Sequence, residues 1–569
     1  MRKSLLALCA AALLTACSTP QPPPPPPPPP PVKPAPAVAH FTWFTYEGND
    51  AVYDTAKAGP RDYLNPILAG YYPDPSILRV GTDYYLVNST FTHFPGIPVF
   101  HSRDLVHWSQ IGNAIDRPGQ LDFGKLEVSR GVFAPSIAFH AGTYYIVNTC
   151  VDCGGNYLIA AKDPAGPWSD PVWLPFGGID PALFFDDNGQ AYMVNNDVPQ
   201  EGSQYTGHRA IWMQEFDAAA GKLIGPRRML IDGGTDIKNK PIWIEGPHLF
   251  RKGRFYYLIC AEGGTGDQHS EVVFRSNKVW GPYLSHRRNP ILTQRNLNPA
   301  RPFPVTSTGH AQFVATPSGQ WWAVFLGTRP YADDFYNTGR ETFLLPVRWK
   351  HGWPAILEPG KLVPYVQARP SLPAADAPPM TGNFLEREDF GVALAPYWLF
   401  IRTPHERWYS LSPSLDIRAR PDSIGGTGQP SFIGRRQQHG WASASVEMRF
   451  APQTDGERAG LVAFQNSNHY YFLGLVRENG KLAVCVAKRA GAGDPENGRV
   501  AASTPIALAA GAPLYLKITA RGGAYDFYYG TKQGEWTALL RGADGTVLST
   551  KTAGGFVGTV IGMYAYAPP

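Results

Sequence analysis

Four titratable side chains, far apart along the chain, stand in a recurring local setting. Asp74 opens Asp74-Pro75-Ser76-Ile77 and Asp180 opens Asp180-Pro181-Ala182-Leu183. Glu245 precedes Gly246-Pro247-His248-Leu249, and His310 lies in Gly309-His310-Ala311-Gln312-Phe313. Breaking a glycosidic bond needs one carboxylic acid to protonate the leaving oxygen and another group to act opposite it. Asp74, following Tyr71-Tyr72-Pro73, sits where a base could activate water. Glu245 follows Trp243 and Ile244 in an apolar stretch, where burial raises a carboxyl pKa. That rise is needed, because a Glu at about 4.3 is mostly ionised at neutral pH. Asp180 can maintain the proton through its own negative charge and orient the Glu side chain. The expectation is three acids on the floor of one blind pocket, two charged and one neutral. A single Asp-Pro at a strand start is commonly only a turn or cap. The recurrence in separate repeats is what points to convergence. A metal cage on the same axis is secondary, since hard cations prefer more carboxylate ligands than these.

The elements that must position these groups follow from the repeat. Each short segment is followed about ten residues later by an aromatic-rich run, as Asp83-Tyr84-Tyr85-Leu86-Val87 follows the first copy. Ala134-Pro135-Ser136-Ile137 precedes Thr143-Tyr144-Tyr145-Ile146-Val147, and Asp180 precedes Ala191-Tyr192-Met193-Val194. The last two runs are Phe255-Tyr256-Tyr257-Leu258-Ile259 and Trp321-Trp322-Ala323-Val324-Phe325. The centres Pro75, Pro135, Pro181, Pro247 and Ala311 lie 46 to 66 residues apart. This is blade-like spacing with insertions, and no long stretch shows sustained helical amphipathicity. The chain is therefore predicted to be all-β, with a five-bladed β-propeller over residues 61–367 whose innermost strands face a central axis. Residues 368–383, including Pro370, Pro373, Pro378 and Pro379, read as a linker. From residue 384 to 569 short alternating strands with Gly-rich turns predict a β-sandwich, with Ala444, Val446, Met448 and Phe450 on one buried face.

Composition agrees. Among 569 residues, aromatics reach 13%, which excludes a largely disordered chain. A net charge of +5 forms no positive block, so nucleic acid is not an expected partner. The start, MRKSLLALCAAALLTAC, has a basic n-region and a short apolar core, too short to span a bilayer. Leu14-Thr15-Ala16-Cys17 resembles a bacterial lipoprotein signal over 1–17, implying acylation of Cys17 and a lipid anchor to the membrane. Ser18, rather than Asp, favours the outer membrane. Residues 18–60 read as a Pro-rich linker in which Pro22 to Pro31 form a polyproline II stalk of roughly 30 Å. Cys150 and Cys153 are spaced for a small disulfide loop, with Cys260 and Cys485 left as buried thiols. No metal ligands surround the pair.

Further motifs carry a resemblance. They are Asn65-Pro66-Ile67-Leu68, Ser89-Thr90-Phe91-Thr92-His93-Phe94-Pro95-Gly96, His101-Ser102-Arg103-Asp104-Leu105-Val106-His107-Trp108 and Gly339-Arg340-Glu341-Thr342. With Phe432-Ile433-Gly434-Arg435-Arg436-Gln437-Gln438 and Ala459-Gly460-Leu461, they make the chain resemble glycoside hydrolase family 43, in its two-domain β-xylosidase and α-L-arabinofuranosidase branch with a concanavalin-like accessory sandwich. The resemblance implies an inverting mechanism with Asp74 as general base, Asp180 as pKa modulator and Glu245 as general acid. It implies that Phe91, Phe133, His310 and Arg340 line the terminal-sugar subsite. His310 could instead support Asp180 or an axial ion, and Arg340 could pair with Glu341. Gly555-Phe556-Val557-Gly558 resembles a sandwich loop that closes the pocket, which puts Phe556 near the site and makes the enzyme exo-acting. No cofactor is required, although a structural Ca2+ near the axis is an option. Two departures, Thr92-His93 where xylosidases of the group show Glu-Trp and Phe133 where they show Trp, lie near that subsite and favour arabinofuranosidase activity with xylosidase side activity.

The expected substrate is thus a hemicellulose oligosaccharide with a terminal pentose. The alternatives are a non-catalytic glycan-binding lipoprotein, or another five-bladed glycosidase such as a retaining fructan hydrolase. The sequence assigns no oligomeric state.

Overall fold

A computed structural model describes residues 37–569 apart from 376, 378 and 379. The expected signal peptide, Cys17 and the Pro22 to Pro31 stalk lie outside the described residues. The five repeats become five antiparallel sheets. The first blade runs Ser76–Val80, Asp83–Val87, Gly96–Ser102 and Ser109–Ile115, and the second Ser136–His140, Thr143–Val151, Gly155–Ala161 and Val172–Trp173. The third comprises Ile179–Phe185, Ala191–Asp197, Ala210–Asp217 and Lys222–Asp232. The fourth begins Glu245–Lys252, Phe255–Glu262, Ser270–Ser276, and the fifth Thr306–Ala315, Trp321–Thr328, Glu341–Lys350. In every blade the aromatic run is the second strand, because β-branched and aromatic side chains fill the pleated space between sheets. Tyr84, Ile146, Val194, Ile259 and Val324 are all buried there.

Polar side chains tie neighbouring inner strands together. Gln312 Oε1 accepts from Ser76 Oγ at 2.6 Å and from Ile77 N at 2.7 Å, while Ser76 Oγ accepts from Ile137 N at 3.0 Å. One amide and one hydroxyl thus join the fifth, first and second blades. The ring closes where the segment before blade one meets blade five. Asn65 Nδ2 donates to Leu344 O and Leu344 N donates back to Asn65 Oδ1, each at 3.0 Å, and Asp62–Leu64 pairs with Val366–Ala368. The linker expected over 368–383 is strapped to the propeller, with Arg369 N donating to Arg61 O and Ala69 N to Met380 O.

The carboxyl-terminal part is a sandwich of an eight-stranded and a six-stranded antiparallel sheet. Ala444, Val446, Met448 and Phe450 share the buried face, as their alternation requires. One boundary is corrected. The second half of the expected 18–60 linker contains the strand Val38–Gly48, which lies between Leu415–Arg418 and Trp441–Phe450 inside the larger sheet. Its Phe41, Phe44 and Tyr46 are buried, with a register shift between Phe41 and Trp43 that moves the apolar face by one residue. The sandwich is therefore completed by a strand from before the propeller.

Cys150 and Cys153 form a disulfide, and Cys260 and Cys485 are free and buried, as expected. Among the described residues no helix is long and apolar enough to cross a membrane.

Removing residues 1–48 leaves two unpaired edges in mid-sheet and uncovers the partners of three buried aromatics. A chain starting at residue 49 is expected to lose its single cooperative thermal transition or to express insoluble. A melt matching the full chain would show the strand to be dispensable.

Candidate active site

The innermost strands do not start as regular β-structure. Asp74 has φ 52°, Asp180 φ 55° and His310 φ 52°, left-handed values rare outside glycine. Ladder registers shift between Ile179 and Ala182, between Glu245 and His248, and between Thr306 and Gly309. Such bulges re-aim a side chain that a regular ladder would hold against a neighbouring sheet. Here they accompany the turn of Asp180, Glu245 and, with a further shift between Gly309 and Gln312, His310 into one cavity, while Asp74 enters it from the segment before a regular first strand.

That cavity has a volume of about 640 Å3. Asp74, Asp180 and Glu245 line it together with Phe91, Phe133, His310, Arg340 and Phe556. Every catalytic and substrate-contact residue named from the sequence, apart from the acylation site, is brought to this one place.

The acids differ in their surroundings. Burial alone would push the Asp74 carboxyl up. Arg340 opposes it, donating from Nη1 to Oδ1 at 2.7 Å and from Nη2 to Oδ2 at 3.4 Å. His310 Nδ1 lies 3.7 Å from Oδ1, and Ser89 Oγ donates to Oδ2 at 2.6 Å. The balance holds Asp74 below the ordinary carboxylate range. Glu245 has no such partner, so burial, reinforced by the charge of Asp74, pushes it up to about 7. Asp180 is also raised, by burial and then by Glu245 and Asp74, although Gly246 N donates to its Oδ2 at 3.1 Å. Burial and mutual repulsion therefore act on Asp180 in the same direction as on Glu245, and Asp74 is the acid set apart from both.

Three further expectations can be placed. His310 stands beside Asp74 rather than Asp180. Arg340 pairs with Asp74, while Glu341 is taken by Arg329 in a two-pronged contact at 2.6 and 2.9 Å. Phe556 reaches in from the sandwich, its ring stacked on Phe91 at 5.9 Å and edge-on to Phe133 at 5.7 Å, with Ser129 Oγ accepting from its backbone N–H at 2.9 Å. Of the two departures noted near the subsite, only Phe133 touches the cavity. His93 is buried behind it, against Tyr71 and paired with Ile401 of the sandwich. Imidazole nitrogens of His310 and His269 are the further groups about Asp74, and no cluster of three or more ligating side chains occurs among the described residues. Hydrolysis by paired carboxyl groups requires no cofactor.

Comparison with known proteins identifies the family. Residues 63–354 match the model for glycosyl hydrolases family 43, and residues 387–569 match the β-xylosidase C-terminal concanavalin A-like domain. The chain belongs to glycoside hydrolase family 43. A xylosidase/arabinosidase of Butyrivibrio fibrisolvens is 39% identical over 88% of this chain and 95% of its own. A non-reducing end α-L-arabinofuranosidase of Bacteroides ovatus is 37% identical over 89% of this chain and 91% of its own. A family 43 crystal structure retrieved from a capybara gut metagenome superposes with TM-score 0.86 at 39% identity, covering 94% of this chain and all of that one.

The hydrolase has cavity residues that the motifs did not mark. Arg130, Val151, Ile179, Ile242, Thr265 and the glycines 263, 264 and 266 also line the pocket. Val151 and Ile179 stand at strand ends and the others in loops, where no recurring pattern singles them out. Ser89 lay within a noted motif, and its bond to Asp74 required coordinates.

Replacing Arg340 by Met removes the largest of the groups that together outweigh burial at Asp74, so the carboxyl pKa rises. The acid limb of the kcat/KM–pH profile is expected to move to higher pH, alongside weaker catalysis. An unmoved acid limb would separate Arg340 from the ionisation of Asp74.

Proposed function

We propose that this glycoside hydrolase is exo-acting and inverting, releasing a terminal pentose from hemicellulose oligosaccharides. α-L-Arabinofuranose is the leading sugar and β-D-xylose a secondary one. The observation that carries the proposal is the opposed proton affinity of two carboxyls in one cavity, Asp74 held low by Arg340 and Glu245 pushed up to about 7. At neutral pH that split leaves a base and an acid available together. Asp74 takes a proton from water as the water attacks the anomeric carbon. Glu245 delivers its proton to the departing glycosidic oxygen, and Asp180 adjusts the affinity of Glu245 for that proton. Phe91, Phe133, His310 and Arg340 form the subsite for the terminal sugar. Phe556 covers it, so that a chain end, and not a continuous polymer, fits. The similarity to proteins named xylosidase/arabinosidase and α-L-arabinofuranosidase supports a pentose at this position, and Phe133 in place of Trp supports the leaning toward arabinofuranose.

Asp74→Asn and Glu245→Gln are each expected to lower turnover by at least about a hundredfold on nitrophenyl pentosides, the scale of general acid–base groups. Wild-type-like rates would remove the residue from its role. NMR should show the first-formed pentose with the anomeric configuration opposite to that of the substrate, whereas retention would favour a different glycosidase mechanism.

The signal motif supports a lipid anchor at Cys17, and Ser18 supports the outer membrane. Cys17→Ser is expected to move the protein from the membrane to the soluble fraction of the producing bacterium. Unchanged membrane association would reject acylation at this cysteine.

A further inference from the structure

Trp243 is unusual among the residues lining the cavity. Its backbone adopts φ 54°, a strained value for a bulky side chain, and the residue remains 36% exposed. A tryptophan that served the core would recover the strain through burial, and this one does not. Its position is nevertheless fixed. Trp243 N donates to Gly207 O at 2.8 Å, and Gly263 N donates to Ile242 O at 2.9 Å. The guanidinium of Arg209 lies over the ring at 4.4 Å. Gly207 and Gly264 flank the seat: a Cβ on Gly264 would come within 3.0 Å of the indole Cδ1, and one on Gly207 within 2.8 Å of Ile242 Cβ and 3.2 Å of the indole Nε1. The chain thus holds a rigid, partly bare aromatic surface at the cavity, two residues before Glu245.

Placement beside Glu245 gives that surface a meaning. The proposed acid must stand next to the glycosidic oxygen it protonates, so the group that departs with that oxygen lies on the Glu245 side. Sugar rings present apolar C–H faces that pack on aromatic rings, and a rigid aromatic makes such a contact at low entropic cost. Arg130 also lines the cavity, its Nε donating to Asp152 Oδ2 at 2.6 Å, and offers charged donors for sugar hydroxyls.

We propose that Trp243 is the platform on which the sugar of the leaving group stacks, with Arg130 as its hydrogen-bonding counterpart. Selection among oligosaccharides then resides in the residue sugar as well as in the released pentose. This rests on Glu245 being the general acid.

The test uses the full-length Glu245→Gln protein, which binds without turning over, with and without Trp243→Ala. Calorimetry compares an arabinosylated xylo-oligosaccharide with free L-arabinose. The ratio of oligosaccharide affinity to arabinose affinity is expected to fall about tenfold on Trp243→Ala, the scale of one aromatic contact. Trp243→Phe, which keeps a smaller face, should fall less and guards against a folding defect in the alanine variant. An equal loss for both ligands would make Trp243 a support for the pentose site and overturn the platform, as would an unchanged ratio. Absence of any binding to the Glu245→Gln parent would instead overturn the proposed pentosidase function, and the platform with it.

Discussion

The contact between Arg340 and Asp74 decides how protons are shared in a cavity where burial favours neutral acids. Without a cation, Asp74, Asp180 and Glu245 would all be driven toward the protonated form, by desolvation first and by one another second. At Asp74 alone this is reversed, by Arg340, with two guanidinium nitrogens on its two oxygens, together with His310 and Ser89. The charge so fixed then acts on the other two, raising both. The ion pair, with His310 and Ser89 beside it, therefore sets Asp74 apart from the other two acids in proton affinity.

That pair is held from opposite ends of the propeller. Asp74 precedes the first strand of blade one and Arg340 the third strand of blade five, so their contact exists only if the ring is closed. The reciprocal hydrogen bonds between Asn65 and Leu344 and the bonds from Ser76 and Ile77 to Gln312 lie across the same junction. Closure and catalysis are thus coupled through one seam. The sandwich adds the remaining wall. Phe556 stacks on Phe91, and the guanidinium of Arg340 lies within 5.5 Å of the Phe556 ring. Water exclusion around the ion pair therefore depends on a domain that supplies none of the three acids.

Much of this was legible in the residues. The blades repeat an aromatic second strand, and equivalent positions of a propeller meet at its axis, so Asp74, Asp180, Glu245 and His310 could be brought together before any coordinates. The strand Val38–Gly48 was not legible in the same way. Its partners lie more than 300 positions away, and its apolar alternation is interrupted between Phe41 and Trp43 and follows a proline-rich stretch. Pairing of that kind is set by the assembled sheet and leaves little local trace. The proton distribution was half legible. Burial of Glu245 could be read from its apolar neighbours, but burial of Asp180 could not, and it is burial first that raises Asp180 as well.

Strain gives the last connection. Asp74, Phe91, Asp180, Trp243 and His310 all adopt left-handed backbone and all line the cavity. Each such residue costs on the order of 1–3 kcal/mol and persists only where its surroundings over-determine it. In this enzyme the surroundings are identifiable: Ser89 and Arg340 on Asp74, Gly246 on Asp180, and Gly207 on Trp243. Phe91 is fixed by backbone bonds in both directions with Val132, at 2.9 and 3.0 Å. Regular strands would relieve the strain and turn the same side chains away from the axis. These left-handed positions therefore trade stability for convergence, and the blade sheets, buried and cross-linked at their inner strands, are what make that trade sustainable.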